Sequence, residues 1–133
     1  MNGTTGPRRG IYVASRTRHA DLWRRVRAAG APIISTWIDH AGPGQSPPGL
    51  WERCVAEVAG AAALVLFAGP GEALRGAWVE AGVALASGVP VFVSGLPDSV
   101  FVRDGSRHRL VTVCHSLGDA VILAMREDGS LPC

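Results

Sequence analysis

Residues 61–68 constrain the fold of this chain more than any other segment, because all eight are apolar and a glycine stands on each side. A strand without a polar position is typical of a parallel sheet that is covered on both faces. The run is far shorter than the roughly 18 apolar residues that a membrane-spanning helix needs. It therefore predicts a buried strand of an α/β domain.

The rest of the chain continues an alternation of strands and helices. Short apolar runs predict strands, and segments with apolar residues at helical spacing predict helices between them. The predicted strands are 11–15, 32–38, 61–68, 89–94 and 109–113, and the predicted helices are 19–29, 50–59, 72–87 and 117–126. We therefore expect a flavodoxin- or Rossmann-like, doubly wound, five-stranded parallel sheet with helices on both faces. In such a fold ligands bind beyond the carboxyl ends of the strands.

The length and composition indicate a single domain. The 133 residues, 47% of them hydrophobic, fit one core. We expect the domain at 10–126, flexible tails at 1–9 and 127–133, and loops at 41–49 and 95–107. The three cysteines form no CxxC pair and the four histidines lack metal-ligand spacing. Free thiols in a reducing cytoplasm are therefore expected, with no metal, no cofactor and no membrane segment.

The charge of the chain is small but unevenly distributed. All 13 basic residues are arginine, seven of them precede Ala28, and the net charge is only +2. Arginine favours bidentate contacts with anions, so a phosphate-bearing small molecule fits the front of the molecule. Arg24, Arg25 and Arg27 are expected to form a solvated helix face. A nucleic-acid polymer is not expected as a partner, because the basic excess is weak and lacks interleaved aromatic residues.

Glu80 is difficult to explain as ordinary helix surface. The residues three and four positions away are small or apolar, so the helix offers no basic neighbour for an ion pair. Gly76 and Gly82 each cost about 1 kcal/mol relative to alanine inside a helix, which is tolerable where a ligand or another backbone comes close. Glu80 therefore either lines a pocket or points to water at the edge of a helix packed on the sheet.

Two segments carry a resemblance to a known family. The segments Ile-Tyr-Val-Ala-Ser at 11–15 and Gly-Ala-Trp-Val-Glu-Ala-Gly-Val-Ala-Leu-Ala-Ser-Gly-Val-Pro-Val at 76–91 resemble nucleoside 2-deoxyribosyltransferases and related nucleotide N-glycosidases. The second is similar to that family's G-x-x-x-E-x-G-x-A-L-x-x-G-x-x-V stretch, whose glutamate is the nucleophile. The order of the elements fits from about residue 11 to residue 121.

The resemblance implies an enzyme that cleaves the N-glycosidic bond of a nucleoside or nucleotide. Glu80 would attack the anomeric carbon, the base would leave, and a second base or water would release the sugar with net retention. Tyr12 matches the tyrosine of the family's first strand and would hold Glu80 by a hydrogen bond. The resemblance also implies a homo-oligomer, in which a neighbouring subunit sometimes completes the pocket.

Further site residues follow from their positions around this centre. Ser15 and Arg16, in the turn after the first strand, are expected to contact a 5′-phosphate, although they also fit an ordinary polar loop. Trp37 and Asp39 are expected to stack on and hydrogen-bond the base, although a tryptophan at this position also fits the core or its rim. Gly76 allows the close approach of a ligand. The family places an acid near Leu74 and an aspartate in the preceding helix. Glu72 and Glu57 are the nearest candidates here, although Glu72 also fits a helix N-terminus and Glu57 an exposed helix surface.

Two other functions remain open from the sequence. A non-catalytic module that binds or senses a nucleotide would have the same fold, because a fold does not fix a function. A small oligomerising scaffold would use the surfaces around Trp23, Trp51 and Trp78 as subunit contacts. Release of a free base from a nucleoside separates the enzyme from both alternatives.

Overall fold

The sheet of this protein contains four parallel strands within the residues described by the computed structural model, which are 8–42, 47–95 and 107–132. The strands lie side by side in chain order, as β1 (Ile11–Ala14), β2 (Ala63–Phe67), β3 (Val91–Ser94) and β4 (Val111–Val113). In the register, Ile11 is paired with Ala63, Leu64 with Val91, and Val91 with Val111. The predicted α/β class and parallel sheet are confirmed.

Helices connect the strands, as the alternating pattern predicts. They are α1 (Ala20–Ala28), α2 (Leu50–Gly60), α3 (Gly76–Ala86) and α4 (Leu117–Asp128), with short 3-10 helices at Thr17–His19 and Thr36–Asp39. The ends of α4 show how the sequence sets its limits. The Ser116 hydroxyl accepts a hydrogen bond from the Asp119 N–H at 3.0 Å, and Gly129 ends the helix in the left-handed conformation.

Both faces of the sheet are covered along β1, β2 and β3, whereas Thr112 and Val113 of the edge strand β4 are exposed. Successive side chains of a strand point to opposite faces, and every residue of β1 and β3 is buried. In β2 only Phe67 is partly exposed. Helices α3 and α4 both pack against these strands. The apolar run that distinguishes the sequence is thus the middle of the core.

The prediction of a strand at 32–38 is wrong. This segment forms one isolated parallel bridge, between Ile33 and Ile11, and then turns into the 3-10 helix. Side chains take over the hydrogen bonds that a strand would have made with β1. The Val13 N–H donates to the Ser35 hydroxyl at 2.8 Å, and the Trp37 indole N–H donates to the Val13 carbonyl at 2.8 Å. Because both polar groups of Val13 are satisfied by side chains, the backbone ladder stops.

Several predicted boundaries also move. Helix α3 begins at Gly76 rather than at residue 72, so Glu72 lies in the turn before it and not in its first turn. Helix α4 continues to Asp128, whose carboxylate accepts a hydrogen bond from the Gly10 N–H at 2.6 Å. The beginning of the predicted tail at 127–133 therefore belongs to the packed domain.

Parts of the predicted tails and loops lie outside the described residues, namely 1–7, 43–46, 96–106 and 133. Within the described part of the chain, none of the helices has the length and apolarity that crossing a bilayer requires.

Candidate functional site

A cavity of about 610 Å³ lies beside the carboxyl end of β1, where the α2 and α3 helices meet. Its volume falls within the range typical of small-molecule sites. The wall is mostly apolar, with a few polar groups from the turn after β1 and from the start of α3. It is formed by residues 15–17, Trp37, Pro47, residues 49–52, Cys54, Val55, residues 75–77, Val79 and Glu80.

Glu80 lines this cavity, and its carboxylate accepts a hydrogen bond from the Tyr12 hydroxyl. Tyr12 lies on β1 and is completely buried, so its phenol reaches Glu80 from beneath the cavity wall. Glu80 is on the second turn of α3, one of whose faces packs on the sheet through Ala77, Ala81 and Ala84. These small side chains bring the helix close to the strands, and the glutamate therefore comes within reach of the phenol.

The surroundings of Glu80 raise its pKa from 4.5 to about 7. Burial is the main cause, because a carboxylate loses hydration when it leaves water. The hydrogen bond from Tyr12 opposes this effect, and the charge of Glu57 adds to it. Near neutral pH this carboxyl group therefore exchanges a proton readily, as groups at reactive sites commonly do.

The Tyr12 phenol stays protonated and acts as a hydrogen-bond donor. Burial raises the pKa of Tyr12 strongly, and the neighbouring Glu80 carboxylate raises it further. Cys54, on α2, also interacts with the Tyr12 hydroxyl and lines the cavity. Burial raises the pKa of the Cys54 thiol, so this sulfur is a neutral thiol at pH 7 and a poor nucleophile.

Four further residues predicted for the site also line the cavity: Ser15, Arg16, Trp37 and Gly76. The Ser15 hydroxyl accepts a hydrogen bond from the Trp23 indole at 2.9 Å and donates to the Arg16 carbonyl at 2.9 Å. The Arg16 guanidinium donates to the Ala73 carbonyl at 2.9 Å. A β-carbon at Gly76 would have no atom of another described part of the chain within 4 Å, so the absent side chain leaves open space at the wall.

The remaining predicted site residues do not line the cavity. Asp39 forms a bidentate ion pair with Arg27, at 2.9 and 3.0 Å, and this pair holds the pKa of Asp39 below its usual value. Glu57 accepts a hydrogen bond from the Thr36 N–H at 3.1 Å. Both carboxylates therefore fasten the 3-10 helix that carries Trp37. Their predicted contacts with a base or a sugar stay predictions.

Glu72 is also turned away from the cavity. Its carboxylate accepts hydrogen bonds from the Gly69 N–H at 2.6 Å and from the His19 imidazole at 2.8 Å, and it lies 2.5 Å from the Arg18 guanidinium. Burial opposes ionisation, yet the Gly69 N–H, His19 and Arg18 together hold the pKa of Glu72 below its usual value. Glu72 therefore links the segment before α3 to the segment after β1.

Several residues of the wall, among them Trp51, Cys54 and Arg75, escaped the sequence reasoning as contributors to the site. Trp51 is a large apolar residue that is 67% exposed at the rim of the cavity. The helical spacing of residues 50–59 was the only local signal that placed Trp51 and Cys54 near each other. By contrast, Trp23 is completely buried and bonded to Ser15, so it cannot be the subunit contact that the scaffold hypothesis required.

The cavity combines a carboxyl group of adjustable charge, a fixed phenolic donor, an apolar wall and two guanidinium groups, from Arg16 and Arg75. Such a set can hold a small molecule with a planar apolar part and an anionic part, and can present a carboxylate oxygen to it. Within residues 8–42, 47–95 and 107–132, no group of three or more His, Cys, Asp or Glu side chains is arranged to hold a metal ion.

The chain matches no known protein-family model, and no curated protein matches it either.

Proposed function

We propose that this protein cleaves the N-glycosidic bond of a nucleoside or nucleotide, with Glu80 as the nucleophile that forms a glycosyl-enzyme ester. The observation that carries this proposal is the hydrogen bond between the Tyr12 hydroxyl and the cavity-lining Glu80 carboxylate. A nucleophilic carboxylate must be aimed at one atom and be able to ionise near neutral pH. The phenol fixes its direction, and a pKa of about 7 leaves a large ionised fraction.

In the proposed reaction, a Glu80 oxygen attacks the anomeric carbon of the pentose. The bond from that carbon to the base nitrogen breaks, and the base leaves with the bonding electrons and takes up a proton from water. Water or a second base then attacks the same carbon from the opposite side and gives up a proton, which neutralises the hydroxide left by the first step. The ester bond breaks, the Glu80 carboxylate is restored, and the configuration of the sugar is retained.

The rest of the cavity provides the other parts that a nucleotide requires. Trp37 and Trp51 both line the cavity, so a base can lie against aromatic side chains there, and stacking of this kind tolerates different bases. Arg16 and Arg75 offer guanidinium groups to a 5′-phosphate. Their presence favours a nucleotide over an uncharged nucleoside.

A second candidate is a module that binds a nucleotide without cleaving it. It is favoured by the raised pKa of Glu80, because a carboxyl group that is about half protonated at pH 7 is a weaker nucleophile than a carboxylate. Asp39, Glu57 and Glu72 do not line the cavity, so none of these three acids is placed to protonate the departing base. This also favours the binding module.

The deciding experiment is incubation of the protein with a panel of nucleosides and nucleoside 5′-monophosphates, followed by mass detection of free base and new glycosides. The proposal expects base release by the wild type and loss of release by at least about 10³-fold in Glu80→Gln, since removal of a nucleophile costs most of the rate. Glu127→Gln, on the exposed face of α4, is the matched control. Thermal stabilisation by a nucleotide without any base release would favour the binding module instead.

The finer features of the architecture are inferred in the same way. We infer that the sheet is doubly wound and flavodoxin-like, with the segment beside β1 in the position of the fifth strand. The two backbone hydrogen bonds that this segment shares with Ile11, at 2.9 and 3.0 Å, support the inference. The cytoplasmic location and the homo-oligomer stay predictions from the sequence.

A further inference from the structure

Two segments of the chain supply the polar end of the cavity wall. The segment after β1 contributes Ser15, Arg16 and Thr17, and the segment before α3 contributes Arg75. Neither segment belongs to a strand or to a long helix. The position of this polar end therefore depends on contacts between the two segments rather than on hydrogen bonds of the sheet.

Glu72 makes the central contact between these segments. Its carboxylate accepts hydrogen bonds from the Gly69 N–H in its own turn and from the His19 imidazole across the gap, at 2.6 and 2.8 Å. The Glu72 side chain is only 8% exposed and that of His19 only 18%. Charge-assisted hydrogen bonds at such a shielded position are stronger than the same bonds in water.

Neighbouring contacts make the arrangement rigid. The Glu72 N–H donates back to the Gly69 carbonyl at 3.1 Å, which closes the turn. The His19 ring packs edge-on against Phe67 with 5.0 Å between ring centroids, at the end of β2. Arg18 approaches the same carboxylate at 2.5 Å but is 68% exposed, so it adds little. Arg16 makes a second tie between the segments through the Ala73 carbonyl.

We propose that Glu72 is a positioning residue, whose buried pair with His19 latches the two segments together and so fixes the polar end of the cavity wall. Glu72 and His19 lie behind that wall and do not line the cavity. The effect on a ligand is therefore indirect. Loss of the latch frees Arg16 and Arg75 to move, which weakens ligand binding without changing the chemistry at Glu80.

The latch has a direct physical test that does not depend on enzymatic activity. Hydrogen exchange of the full chain, followed by mass spectrometry at pH 7, reports local opening. In Glu72→Gln an NH2 group replaces one of the two carboxylate oxygens that accept hydrogen bonds, and this group cannot accept from either donor. We therefore expect the protection of the amides in residues 16–19 and 69–75 to fall about tenfold or more. Protection in β2 and β3 should stay within about twofold of the wild type. Glu127→Gln is the charge-matched control and should change neither region.

A conservative variant separates the latch from a simple loss of packing. His19→Gln keeps an N–H donor toward Glu72 without an ionisable ring and should retain most of the protection, whereas His19→Ala should lose it as Glu72→Gln does. Unchanged protection at 16–19 and 69–75 in Glu72→Gln would overturn the proposal. An equal loss of protection over the whole chain would overturn it as well, because that result describes global destabilisation.

The consequence for function rests on the proposed glycosidic activity. For a nucleoside monophosphate that the wild type cleaves, Glu72→Gln should raise KM about tenfold and change kcat by less than about twofold. A fall in kcat with unchanged KM would contradict an indirect role. If the wild type releases no base at all, the proposed function fails, while the exchange experiment still decides whether the latch exists.

Discussion

The Tyr12 hydroxyl and the Glu80 carboxylate share a hydrogen bond although 68 positions separate the two residues in the chain. Tyr12 is fixed on a buried strand, and Glu80 stands on the wall of the cavity. The strand therefore orients the group on the helix. This relationship connects the core of the protein to the chemistry that we propose.

Removal of the phenolic hydroxyl should impair the proposed reaction and shift its pH dependence. In Tyr12→Phe the Glu80 carboxylate loses a donor that lowers its pKa. A hydrogen bond to an ionised group contributes about 1.5–3 kcal/mol, so we expect kcat/KM to fall about 10- to 100-fold. The acidic limb of the profile of kcat/KM against pH should move to higher pH. An acidic limb at the same pH in the variant and in the wild type would show that the Tyr12 hydroxyl does not affect the pKa of Glu80.

The stability of the protein should depend on pH through Glu80. Its folded-state pKa of about 7 lies above the usual 4.5, so its contribution is complete below pH 4.5 and is lost as the pH rises through 7. In Glu80→Gln this loss is absent. Between pH 5 and pH 8 the free energy of unfolding of the wild type should therefore fall relative to the variant by about 1–3 kcal/mol. Urea unfolding at both pH values measures the difference, and Glu127→Gln should follow the wild type.

Trp51 should contribute to substrate binding as an aromatic surface. Replacement by alanine removes the indole from the rim of the cavity, and stacking of a base on an aromatic side chain contributes about 1–3 kcal/mol. We expect Trp51→Ala to raise KM for a cleaved nucleotide about tenfold, and Trp51→Phe to raise it much less. Ile122→Ala removes a different exposed apolar side chain, outside this cavity, and serves as the control. Equal KM values for Trp51→Ala and the wild type would exclude a stacking role.

The two glycines of α3 should respond differently to alanine. Among the described residues outside the helix's own backbone, no atom lies within 4 Å of the position that a β-carbon would take at Gly82 or at Gly76, so neither substitution causes a clash with them. Gly82→Ala should stabilise the fold by up to about 1 kcal/mol, because alanine favours a helix interior. Gly76→Ala places its methyl group in the cavity and should weaken ligand binding. Thermal unfolding and KM, measured on both variants, distinguish the two effects.

The sequence predicted the regular part of the fold well. The apolar runs at 11–15, 61–68, 89–94 and 109–113 all contain a strand of the observed sheet, with shorter ends. Burial of both faces leaves little room for polar residues, so local composition is informative there. The helix predicted at 117–126 was also found, although it continues to Asp128, where Gly129 ends it.

The segment at 32–38 shows where local pattern fails. Its apolar residues favour a strand, but Ser35 and Trp37 bind the two polar groups of Val13 through their side chains. Whether a backbone group is satisfied by a strand or by a side chain depends on what the distant partner presents. Periodicity carries no information about that choice.

The candidate site divides in a similar way. The small and apolar neighbours of Glu80 indicated a glutamate without a partner on its own helix, and the sequence alone therefore raised the possibility of a pocket. Glu72 was predicted in the first turn of the same helix, as the family's acid or as a charge at the helix N-terminus, yet it lies before the helix and is paired with His19 on another segment. The two acids differ in the residues that the fold places next to their carboxylates.

The sequence by itself determined that this chain builds a parallel α/β sheet, because eight successive apolar residues can be buried only when both faces are covered. Only the tertiary structure decided that Glu80 meets Tyr12 at a cavity, that Glu72 closes a latch behind it, and that Trp51 stands at its rim. Those outcomes depend on contacts between residues far apart in the chain. Such contacts follow from how the helices pack on the sheet and leave no local periodic signal.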